Sequence, residues 1–185
     1  PTAGVSKIID WGRTMNERKE AVTLHGNPFT LIGDELTVGA KAPAFTVLDN
    51  DLQPVSEKVF ENKATVVLTV PSLDTPVCDT EVRRFNKEVA ALGDKAQVLT
   101  VSVDLPFAQK RWCGAAGIDR VTTLSDHRDV KLGENWGVLI KELRLLARAV
   151  FVIDGEGTIQ YVELVPEIGD EPNYDEALAV VKRYA

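Results

Sequence analysis

A chain of 185 residues, 44% of them hydrophobic and 26% charged, has the size and composition of one globular domain that buries a core without disulfide staples. Its 28 acidic residues outnumber 21 basic ones, giving a net charge of −7, which argues against nucleic acid and anionic membrane as main partners. The longest apolar runs are strand-sized, so no segment is expected to span a bilayer.

The opening Pro1-Thr-Ala-Gly4 has no basic region leading into an apolar stretch, so no signal peptide is read; a mature, cleaved chain would look the same. Residues 1–20 read as an N-terminal extension, with a short helix over 5–20 that puts Val5, Ile8, Ile9 and Met15 on one face. Residues 21–185 form the domain. Short β-type runs at 22–24 and 29–32 flank His25-Gly-Asn-Pro28 and predict a hairpin. Residues 45–48 are another short strand, closed by the Asp49-Asn-Asp51 turn.

From residue 64 the pattern changes. Residues 65–70 are a continuous apolar, β-branched run, as expected of a strand covered on both faces. A helix follows, with Val82, Phe85, Val89 and Leu92 inward, and with Glu81, Arg83, Arg84, Lys87 and Glu88 on its outer face. Gly93 ends it. Residues 97–103 are a second buried strand, 106–113 a helix, 121–124 a short strand and 129–136 a helix. Strands at 149–153 and 158–164 are joined by the turn Asp154-Gly-Glu-Gly157. The last helix keeps Tyr174, Ala177, Leu178, Val181 and Tyr184 on one stripe. The β-α-β-α order requires parallel pairing and the late hairpin antiparallel pairing, so an α/β fold with a mixed sheet and helices on both faces is predicted.

The two cysteines leave three readings: inert core thiols, one structural bridge, or a redox-active pair. Cys78 lies in Pro71-Ser-Leu-Asp-Thr-Pro-Val-Cys78, between a buried strand and an amphipathic helix. Thr75 followed by Pro76 reads as N-cap and first helical residue, with the Thr75 hydroxyl accepting from a free backbone N–H. Cys78 then falls at the third helical position, where free N–H groups and the positive end of the helix dipole favour the thiolate. Asp79 works against this unless it points away. A thiol at a helix start after a parallel strand is also where open α/β sheets place their sites.

Pro71-x-x-x-Thr75-x-x-Cys78 resembles the active-site motif of the peroxiredoxins, and the string from Ser72 to Cys78, with Phe85-Asn86 downstream, resembles their thiol peroxidase branch. His25-Gly-Asn-Pro28, Asp104-Leu-Pro-Phe-Ala-Gln109 with Cys113, Ala147-Arg-Ala149 before a strand and Glu171-Pro-Asn-Tyr174 are similar too. The resemblance runs from about Val22 to the end. It implies a thioredoxin-like fold with an N-terminal hairpin. It makes Cys78 the peroxidatic cysteine and Cys113 the resolving one, joined in an intramolecular disulfide, with Thr75, Pro71 and Arg148 at the other active-site positions. It further implies a peroxidase acting on hydrogen peroxide and alkyl hydroperoxides, recycled by thioredoxin or a similar dithiol protein, and a homodimer. No cofactor and no metal are expected, and the expected compartment is the cytoplasm, with the periplasm left open.

Other classes fit less well. A thioredoxin-type oxidoreductase needs Cys-x-x-Cys, and Glu81 occupies that position. A cysteine hydrolase needs a histidine base, and His25 and His127 sit in no such motif. A zinc site built from Cys78, Cys113, His25 and His127 lacks the usual spacing. A non-catalytic module with the pair as a staple predicts lost stability, not lost activity, in Cys78→Ser.

Overall fold

The computed structural model describes residues 15–118 and 120–185. Its strands are β1 (Glu17–Leu24), β2 (Asn27–Ile32), β3 (Thr46–Leu48), β4 (Pro54–Ser56), β5 (Ala64–Thr69), β6 (Ala96–Ser102), β7 (Val121–Ser125), β8 (Leu139–Ile140), β9 (Leu145–Leu146), β10 (Ala149–Ile153) and β11 (Ile159–Leu164). Its α-helices are α1 (Pro76–Ala90), α2 (Pro106–Ala116), α3 (Lys131–Asn135) and α4 (Tyr174–Tyr184).

Seven strands form the central sheet, in the order β11-β10-β5-β6-β7-β3-β4. The β5-β6-β7 pairs are parallel and the outer pairs antiparallel, so the sheet is mixed as the element order predicts. All six residues of β5 are buried, which is why its sequence is a continuous apolar run rather than an alternating one. Val66 and Leu68 face a layer made by Val82, Phe85 and Val89 of α1 and by Ala177, Leu178 and Val181 of α4. Val67, between them, faces the opposite core.

On that opposite side Trp136 lies edge-on to Phe151 and Phe45, with ring centroids 5.0 and 5.7 Å away. A four-stranded sheet, β1-β2-β8-β9, completes this face together with α3. The β1–β2 hairpin turns at His25-Gly26, both at positive φ, so Asn27 and Pro28 belong to β2.

Several expectations are corrected. Glu17–Glu20, expected in the extension helix, are the start of β1; the rest of that helix as far as residue 14 lies outside the described residues. The helix expected over 106–113 runs on to Ala116, so Gly114 is helical and only Gly117, at φ 66, makes the left-handed cap. The helix expected over 129–136 shrinks to α3, because the buried carboxylate of Asp126 takes the N–H groups of Leu132 and Gly133 and Val130 turns to φ 49 before it. The two- and three-residue strands β4, β8 and β9 were not foreseen; they are too short to show a period.

This framework decides where the site forms. β10 runs antiparallel to β5, with Ala149 opposite Thr69. The residue before β10 therefore lies beside the residues that follow β5, and those lead into α1.

Candidate active site

The loop between β5 and α1 is tied down by one carboxylate. Asp104, just past β6, accepts from Ser72 Oγ, from the Leu73 N–H and from Ser102 Oγ, each at 2.8 Å. Pro71 opens this loop half-buried. Thr75 is at the N-cap with extended backbone (φ −137°, ψ 147°), and Pro76 is the first helical residue. The Thr75 hydroxyl does not cap, contrary to expectation. It donates back to the Ser72 carbonyl at 3.0 Å, while the helix start is closed by the Asp79 N–H on the Thr75 carbonyl at 3.1 Å. The physical reason is the tight 72–75 turn, which offers the hydroxyl an acceptor three residues back.

Cys78 is the third residue of α1 and is fully buried. Asp79 beside it points outward and pairs with Arg83 at 2.9 Å, so its charge is met on the surface. Arg148 fills the two-residue gap between β9 and β10 and is 2% exposed. Its Nη2 donates to Cys78 Sγ at 3.3 Å, its Nη1 to Glu81 Oε2 at 2.5 Å, and its Nε to the Ile168 carbonyl at 2.9 Å. Burial works against its charge, yet the negative charge at Cys78 and Glu81 holds the guanidinium above its usual pKa.

Glu81 is the residue the sequence placed wrongly. The charge pattern assigns it to the outer face of the helix, but it is fully buried against Arg148. Position 81 is i+3 from Cys78, so on an α-helix it shares the face of the thiol. Burial pushes its carboxyl up to about 7, with Arg148 pulling the other way. Asp104 opens the Asp104–Gln109 motif, but its role as the anchor of the loop has no signal in the sequence.

Cys113 lies elsewhere, near the end of α2. It is half-buried, with Sγ 3.4 Å from Thr123 Oγ1 on β7, and both cysteines are free thiols. Thr75, Pro71, Cys78 and Arg148 thus meet around the start of α1, while Cys113 keeps a different partner. A groove of about 370 Å³ runs between the 72–75 loop and α2, lined by Leu73, Asp74, Asp104, Gln109, Arg111 and Trp112. Trp112, partly buried, also packs onto the α1 side of the core.

His25 is exposed in the hairpin turn, and His127 follows β7. Among the described residues no three His, Cys, Asp or Glu side chains are grouped so as to hold a metal ion. Among the same residues no helix is long and apolar enough to cross a membrane.

The arrangement is a buried sulfur at a helix N-terminus with a fixed cation donating to it. It can stabilise a thiolate and charge that develops on an atom the sulfur attacks. The Redoxin family matches residues 37–178. The thiol peroxidase of Bacillus subtilis (strain 168) is 54% identical over 161 residues, which cover 87% of this chain and 96% of that one. The thiol peroxidase of Halalkalibacterium halodurans is 54% identical over 162 residues, covering 88% and 97%. Among solved structures, a peroxiredoxin-like protein from Aquifex aeolicus matches with a TM-score of 0.83 at 49% identity, covering 90% of this chain and 98% of that one.

Proposed function

The chain belongs to the Redoxin family, and from that membership we propose that it is a peroxiredoxin-type thiol peroxidase that reduces hydrogen peroxide and alkyl hydroperoxides through Cys78. The observation that carries this reading is the Arg148 Nη2 contact with Cys78 Sγ, 3.3 Å long and buried. Cys78 attacks one peroxide oxygen and becomes a sulfenic acid. Arg148 keeps the sulfur ionised and receives charge on the leaving oxygen. Thr75 holds the turn before the helix through Ser72, and Pro71, lacking an N–H, shields the pocket from water. Cys113 then condenses with the sulfenic acid to an intramolecular disulfide.

A disulfide needs Cα atoms within about 7 Å and sulfurs facing each other. Cys78 is held on Arg148 and Cys113 on Thr123, so both contacts must break before the sulfurs meet, and the helix start and the end of α2 are the segments proposed to move. The electrons that reopen the bond come from a dithiol protein of the thioredoxin kind, and the working unit is a homodimer. The test is peroxide consumption with thioredoxin and its reductase. Wild type is expected to turn over, Cys78→Ser to be inactive, and Cys113→Ser to react once and stop. A wild type inert towards both peroxide classes rules the reading out.

A further inference from the structure

Glu81 is the one group at the Cys78 site to which the peroxidase reading assigns no task. Its Oε2 meets Arg148 Nη1, and its Oε1 is buried with no hydrogen-bond partner among the described residues. Arg148 turns its other terminal nitrogen to Cys78 Sγ. One guanidinium therefore serves two acids that sit three residues apart on one helix face. With both ionised, two negative charges share one positive charge where water does not reach, and one carboxylate oxygen is unsatisfied. That is a costly arrangement in a buried site.

The surrounding elements do not relieve it. Glu163 on β11 and Glu171 ahead of α4 add negative potential, and the Tyr174 hydroxyl at the start of α4 is spent on Glu171 at 3.0 Å. Arg84, one turn on, lies over the Tyr174 ring and pairs with Glu88 and Asp175 on the surface. Burial, with Glu163 and Glu171 behind it, raises the Glu81 carboxyl to about 7 in spite of Arg148.

We propose that Glu81 holds the proton that Cys78 gives up, so that the reduced site contains a thiolate, a guanidinium and a neutral carboxyl, and that Glu81 releases this proton when the peroxide bond breaks. The inference rests on the reading of Cys78 as the attacking thiol. The sulfur pair forms an S–O bond to the oxygen that carries hydrogen as the O–O bond breaks. Sulfur is oxidised by two electrons and the peroxide is reduced by two. The other oxygen leaves as alkoxide, or as hydroxide from hydrogen peroxide, and takes one proton to become alcohol or water. Glu81 ends as a carboxylate on Arg148, which no longer faces a thiolate. The site is neutral before and after, so no net charge is ever buried.

Glu81→Gln keeps an oxygen for Arg148 but cannot hold a proton. In a Cys113→Ser background, thiolate absorbance and iodoacetamide reactivity of Cys78 are followed against pH. With Glu81 present the thiolate absorbance should appear while a protonated-carboxyl infrared band persists, and that band should be missing from Glu81→Gln. The peroxide rate of pre-reduced protein falls about tenfold or more in Glu81→Gln although its thiolate fraction is no smaller. An infrared difference spectrum on the otherwise unaltered protein needs no Glu81 variant. Alkylating Cys78 with iodoacetamide removes the thiolate, so one protonated-carboxyl band should disappear. A protonated-carboxyl band that vanishes before the thiolate forms, an unchanged peroxide rate, or a carboxyl band untouched by alkylation overturns the proposal. The titration and infrared readouts use no peroxide, so they decide this point even if the protein consumes none.

Discussion

Arg148 donates at once to a sulfur, a carboxyl oxygen and a carbonyl, and its loss should be read against all three. For any thiol, lowering the pKa from about 8.5 to about 5.5 raises the ionised fraction at neutral pH roughly 30-fold but costs roughly 20-fold in nucleophilicity. Ionisation alone therefore does not make a fast peroxidase. A donor aimed at the charge developing on the leaving oxygen is worth about 100-fold or more. Arg148→Ala should lose about that much peroxide rate, well beyond the change in thiolate fraction measured on the same protein. Arg148→Lys, which keeps the charge but not the planar fork, should recover ionisation more than rate. A rate loss fully explained by the titration would remove the transition-state role. Arg148 and Cys113 are candidates through resemblance, whereas Cys78 is singled out first by its place behind the Thr75-Pro76 helix start and then by the same resemblance. Glu81 was misplaced because it was read as a charge, and charges on amphipathic helices are usually outside; its i+3 spacing from Cys78 was the better guide.

Individual elements were legible where burial leaves a mark on composition. β5, β6 and β10 are continuous apolar runs because both faces are covered, and α1 and α4 have clear stripes. β8 has two residues and exists by pairing with β2, and the two-residue β9 by pairing with β8, so no local pattern records them. The short α3 was overextended for a related reason. Its start is set by Asp126, which is 1% exposed and takes two backbone N–H groups from Leu132 and Gly133. Burial lifts the Asp126 carboxyl from 3.8 to about 6, against the pull of those two bonds. The folded state thus holds this proton more tightly than the unfolded chain. Its contribution to stability is full below pH 3.8 and is lost as pH rises through about 6. Relative to Asp126→Asn, the wild type should lose about 2–3 kcal/mol across that window, from two units at about 1.4 kcal/mol each. Urea melts at pH 4 and pH 7 would show it, and equal pH slopes for the two proteins would contradict it.

At the scale of the whole molecule, the proposed disulfide would have to bring together two thiols that the fold keeps on different partners. Cys78 is buried, so in the proposed reaction peroxide would reach it only when the first turn of α1 loosens. The parts that must move are peripheral to the sheet. The 71–75 loop hangs on Asp104, and the end of α2 hangs on the Cys113–Thr123 contact and the Gly117 cap. The parts that must not move, β5, β6 and β10, are fully or nearly fully buried. Oxidised protein should therefore lose amide protection over the first turn of α1 and the last turns of α2, while β5, β6 and β10 stay protected. Hydrogen exchange of the two redox forms tests this, and equal protection at both segments would mean that the bond forms without the rearrangement described. Trp112, next to Cys113, should report the same change by fluorescence.

The central claim is that Cys78 is the sulfur that peroxide oxidises. The most direct measurement is mass spectrometry of Cys113→Ser treated with one equivalent of hydrogen peroxide in the presence of a sulfenic-acid trap. One trapped label per chain, on Cys78, is the predicted result, with the label lost in Cys78→Ser. An unlabelled Cys78, in protein that still consumes peroxide, would contradict the account.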